Sequence, residues 1–102
     1  MLICTEYIKL WGEEHYLELH TGKYSDGGPA LIVLGDDGPF GRLSVNLPKY
    51  MDLLGEDEFF VKTWSENEAW YPIFWKYFEF TGKTVPVGFA DAQIWKLKKE
   101  AL

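Results

Sequence analysis

Two linked motifs, Val45-Asn46-Leu47-Pro48 and Glu58-Phe59-Phe60-Val61-Lys62-Thr63-Trp64-Ser65-Glu66-Asn67-Glu68, decide how this chain folds. Pro48 has no amide hydrogen to give a β-ladder, so it ends the strand expected over Arg42 to Leu47, with Leu43, Val45 and Leu47 pointing inward. After a connection through Met51 to Asp57, the β-prone run Glu58 to Trp64 reads as a further strand. Ser65 followed three residues later by Glu68 is a capping-box pattern, which opens a helix. A strand that hands over directly to a helix points to the α+β class.

Rings crowd the segment that follows. Trp70, Phe74, Tyr77 and Phe78 recur at three- and four-residue spacings, with Tyr71 and Trp75 beside that stripe, which predicts a helix with a ring-rich face. Pro72 would kink a helix capped at Ser65, so the start is expected there or later, nearer Asn67, and the end before Thr81-Gly82. Val85, Val87 and Phe89 alternate as a strand, and Gln93 to Leu97 reads as the last one. Upstream, Leu2 to Leu10 and His15 to Thr21 read as strands joined by a turn at Trp11-Gly12-Glu13-Glu14. Gly22 to Pro29 reads as loop, Ala30 to Leu34 as a covered central strand, and Gly35 to Gly41 as a turn leading into an antiparallel hairpin. The expected fold is a single α+β domain over residues 1–102. It has a mainly antiparallel sheet of six or seven strands, free to curl, and one main helix packed on it.

Hydrophobic residues make up 47% of the 102, enough to offset the entropy of ordering one core. Five Trp, six Tyr and seven Phe exceed what one small core covers easily, so some rings are expected at the surface. Charge is uneven: residues 1–68 carry 13 acids and 5 bases, residues 69–102 carry 3 and 5. Between Asp52 and Glu68 six acids face only Lys62. Free nucleic acid is a poor partner for such a chain, whereas a basic protein surface suits it. The single cysteine, Cys4, forms no intrachain disulfide, and no apolar run approaches a membrane span. A cytoplasmic protein is expected, with no membrane partner.

Catalytic patterns are hard to find. Cys4 with His15 or His20 lacks any spacing that would pair a nucleophile with a base, and one Cys with two His does not fill a zinc site. Asp36-Asp37-Gly38 lacks the alternating acids of a calcium loop. Thr81-Gly82-Lys83-Thr84 lacks the earlier glycine of a phosphate loop and leads into a strand rather than a helix. The carboxylates of Glu56, Asp57 and Glu58, and of Glu66 and Glu68, read as a solvated face. No cofactor, metal or catalytic residue is expected.

On the V-N-L-P motif, the acid before Phe59-Phe60-Val61-Lys62, the Ser65-Glu66-Asn67-Glu68 run, and Thr81-Gly82 with Val85 to Phe89, the chain resembles an uncharacterised family of small proteins. These are encoded on phages, plasmids and conjugative elements of Gram-positive gut bacteria, and the likeness spans roughly residues 15–97. The family has no assigned activity, so the resemblance implies no site residue. Its members carry an aliphatic helix after S-E-N-E, where this chain has Trp70, Tyr71, Pro72, Phe74 and Trp75. The function expected is a non-enzymatic interaction module of a mobile element. In it Glu56, Asp57, Glu58, Glu66 and Glu68 form an electrostatic face and Trp70, Tyr71 and Trp75 serve as anchors. Its sharpest form is an inhibitor of a nuclease-based host defence, anti-CRISPR or anti-restriction, that occupies a basic nucleic-acid-binding surface. The alternatives are a self-associating accessory protein, such as a homodimer, and an enzyme with an unfamiliar site.

Overall fold

Alternation of apolar and polar residues builds the first four strands into a meander. In the computed structural model, which describes residues 1–99, β1 (Leu2–Leu10), β2 (Glu13–Lys23), β3 (Pro29–Gly35) and β4 (Gly38–Arg42) pair antiparallel with their neighbours in chain order. Leu17, Leu19, Leu31 and Val33 point inward and are fully buried. Tyr16, Glu18 and His20 occupy the other face of β2, where Glu18 bonds both Tyr16 and His20. β2 extends through Gly22 to Lys23, so part of the segment expected as loop is strand.

The remaining strands form a second antiparallel sheet, ordered β5 (Glu58–Val61), β7 (Ala90–Leu97), β6 (Phe78–Val87). The single sheet of six or seven strands is therefore corrected to two, of four and three. The reason lies at Leu43 to Val45. This segment accepts no full ladder, yet Leu43 N donates to Leu31 O of β3, Lys62 N donates to Leu43 O, and Val45 N donates to Phe60 O. Ser44 makes one isolated bridge to Val61. The two sheets are stitched here and diverge on either side, where the expected strand Arg42 to Leu47 would have run.

The expected long helix is also corrected. Ser65–Ala69 is a short 3-10 turn, Tyr71–Phe74 is the α-helix (α1), and Trp75–Tyr77 is another 3-10 turn. Pro72 falls in the first turn of α1, where its missing amide hydrogen costs nothing. Ser65 makes no capping bond and sits at φ +57°, so the capping-box pattern is not used. Phe78, expected on the helix, starts β6, and Phe89 lies in the turn before β7 rather than in a strand. No described helix is long and apolar enough to cross a membrane.

Between the sheets lies the main core, with Leu17, Leu19, Leu31, Val33 and Leu43 on one side. Phe59, Val61, Trp70, Phe74, Phe78, Trp95 and Leu97 face them. The far face of the second sheet is covered as well: Phe60, Val85, Ala92 and Ile94 pack under Val45, Leu47, Tyr50, Leu54 and Trp64.

Candidate binding surface

Period two, acting on β6 and β7, assembles a ring-rich concavity. Phe78 and Phe80 share a face of β6, and their cross-strand partners Leu97 and Trp95 share the same face of β7. Trp95 is buried and lies 5.6 Å from the Phe78 ring and 6.2 Å from Tyr71. Its indole Nε1 donates to Gln93 Oε1 at 2.8 Å, which fixes the ring's edge. Trp75, one residue past α1, turns outward and is 61% exposed; Phe80 is 53% exposed. Together these residues bound a groove of about 440 Å³, floored by Phe78 and Trp95, into which Lys76, Gln93 and Lys98 bring polar groups.

A polar tie holds the wall of this groove in place. Lys76 Nζ lies 2.5 Å from Glu6 Oε1, and Tyr77 O–H donates to the same oxygen at 2.7 Å, joining the turn after α1 to β1. Partial burial works against the charge on Glu6, but the bonds from Lys76 and Tyr77 outweigh it and hold its carboxyl below the ordinary 4.5. Burial and the neighbouring Glu6 carboxylate push the Tyr77 phenol well up. Burial likewise pushes the Cys4 thiol up to about 11, which leaves it protonated and a poor nucleophile at neutral pH. Because folded Glu6 binds its proton less readily than the unfolded chain, its contribution is complete above about pH 4.5 and lost as pH falls through the lower folded value. Glu6→Gln is expected to cost about 1 to 2 kcal/mol at neutral pH and to flatten the acid limb of a stability-against-pH curve measured by urea titration. An unchanged acid limb would remove Glu6 from the account.

The acidic residues do not gather at this groove. Glu56 and Asp57 are exposed in the turn before β5, with Asp57 in the left-handed region at φ +61° and its carbonyl accepting from Leu97 N at 2.8 Å. Glu58 accepts from Gly55 N at 2.9 Å and stands across from Lys96, on the sheet face opposite Phe78 and Trp95. Glu66 is paired with Lys62 at 3.0 Å, beyond the other end of β5, and Glu68 is exposed nearby in the 3-10 turn. The acids expected to form one face are thus divided between the two ends of a strand. Of the expected anchors, Trp75 is exposed and Tyr71 half-buried against the groove. Trp70 is corrected: it is only 2% exposed and belongs to the core.

No protein-family model, curated protein or solved structure matches the chain. Among the described residues, no group of three or more His, Cys, Asp or Glu side chains is placed to hold a metal ion. Reading the sequence missed Phe78, Phe80, Gln93, Trp95, Lys76 and Lys98 as groove residues. The usable signal was the alternation of Phe78 with Phe80 and of Gln93 with Trp95, which the helical ring spacing masked.

Proposed function

We propose that the chain is a non-enzymatic protein-binding module of a mobile element, which seats an apolar segment of a partner protein in the groove between Trp75 and Phe80. The observation that carries this reading is the pair of half-exposed large rings standing over a floor of two buried ones. Water gains little from such rings, whereas a partner that covers them gains the area and geometry that make Trp a frequent hot spot. The exposed carboxylates of Glu56, Asp57 and Glu68 lie away from the groove and suit long-range steering toward a basic partner rather than close contact. A host defence nuclease is the sharpest form of that partner, following the resemblance to mobile-element proteins.

The test is retention of host proteins by the immobilised chain, compared with the Trp75→Ala, Phe80→Ala double variant. A partner held by the parent chain and weakened about tenfold or more by the double variant is the expected result. Equal retention by both would discard the groove. Light scattering separates the self-associating reading, because a dimer that dissociates in the double variant puts a second copy in the partner's place.

A further inference from the structure

A second concavity, sharing no residue with the aromatic groove, draws together the chain's only arginine and residues of the Val45–Pro48 and Glu58–Glu68 motifs. Arg42, Ser44, Val45, Asn46, Lys62 and Glu66 line it together with Tyr24, around about 440 Å³. The segments are fixed against each other by Asn67, whose Nδ2 donates to both Arg42 O and Lys62 O at 2.9 Å.

We propose that this concavity binds a phosphate dianion. The Arg42 guanidinium lies 5.3 Å over the Tyr24 ring and has no carboxylate partner among the described residues, so its N–H fork is positioned and uncommitted. Ser44 Oγ accepts from Leu31 N and shares a 2.8 Å bond with Tyr24 O–H. The two hydroxyls own two hydrogens and use one between them, which leaves one O–H to donate. Asn46 Nδ2 commits one of its two hydrogens to Asp26 Oδ2 and keeps the other.

Lys62 is the second cation, and its present partner is informative. Glu66 sits 3.0 Å away with a largely exposed side chain, four residues on, and so occupies the position an incoming anion would take. Such an exposed pair contributes little and is readily exchanged. A free carboxylate offers no more charge than Glu66 already supplies from the same chain. A phosphate dianion brings twice the charge, and Arg42 lines the same concavity, so it has a reason to displace Glu66 that a monocarboxylate lacks.

The experiment is a titration of the intact chain with inorganic phosphate at pH 7.5 and constant ionic strength, followed by amide chemical shifts. Glycerol 2-phosphate and acetate serve as parallel arms. Shifts centred on residues 42–46 and 62–66 are expected with both phosphates and not with acetate; response to glycerol 2-phosphate but not to the inorganic ion assigns the site to esters. Glu66→Gln frees Lys62 and is expected to tighten binding about threefold or more, while Arg42→Gln weakens it about tenfold or more. Both side chains are exposed, so undisturbed amide dispersion will certify that the variants fold. The proposal falls if Glu66→Gln does not tighten binding, if acetate competes equally, or if the shifts centre on Lys96, Lys98 and Lys99.

Discussion

Trp70→Ala is expected to lower stability by about 3 to 5 kcal/mol, the range for truncating a large ring in a closed core. Trp70 packs edge-on against Phe40 at 5.7 Å and against Phe74 at 6.4 Å. Its six-membered ring also fills the space over Gly41, where a Cβ would stand 3.0 Å from Cζ2. The Gly41 backbone and the Phe40 and Phe74 rings are stiff neighbours that fill little of the space left behind. Domains of this size have about 5 to 15 kcal/mol in hand, so the variant should sit near the edge of folding. Urea unfolding followed by fluorescence measures it. Trp75→Ala, at the exposed neighbouring turn, is expected to change stability by no more than about 0.5 kcal/mol. A loss below about 1 kcal/mol for Trp70→Ala would mean that the interior is not closed as described.

Asn67→Leu keeps the branched shape, removes the polar group and adds bulk, and a loss of about 2 to 4 kcal/mol is expected. The side chain is 1% exposed and its amide joins the carbonyl that ends β4 to the carbonyl just past β5. Without that amide both oxygens lose a donor at the line where the sheets meet. Asn67→Asp provides the sharper comparison, because it is closer in shape but places a carboxylate against two carbonyl oxygens. It should be at least as destabilising as Leu at neutral pH. Recovery of parent stability by Asp would show that shape, and not donation, is what the position requires.

How legible the fold was depended on local contrast. β1, β2 and β3 could be read because their apolar residues alternate or run unbroken, and because turns with Gly and Asp punctuate them. β4 could not, since Gly38-Pro39-Phe40-Gly41-Arg42 has the composition of a turn and is a strand only because β3 offers it a ladder. The ring stripe was misread for a different reason. Trp70 and Phe74 are four apart on a helical turn, but Phe78 continues that spacing by coincidence while already extended in β6. Trp75 is exposed and Trp70 buried, a difference the sequence did not carry, because spacing alone does not say which side of a four-residue helix meets a sheet. Asn67 was read as a later start for the helix. Its work is instead long-range, with a partner 25 residues away, and no short pattern encodes that.

The arrangement β5-β7-β6 has a consequence for biosynthesis. The meander can zip up hairpin by hairpin as it leaves the ribosome, each strand finding the one just made. β5 pairs with neither of its chain neighbours; its partner is β7, the last of the described strands. Until Ala90–Leu97 emerges, Phe59 and Phe60 lie on a bare edge, and the nascent chain spends that interval open to aggregation.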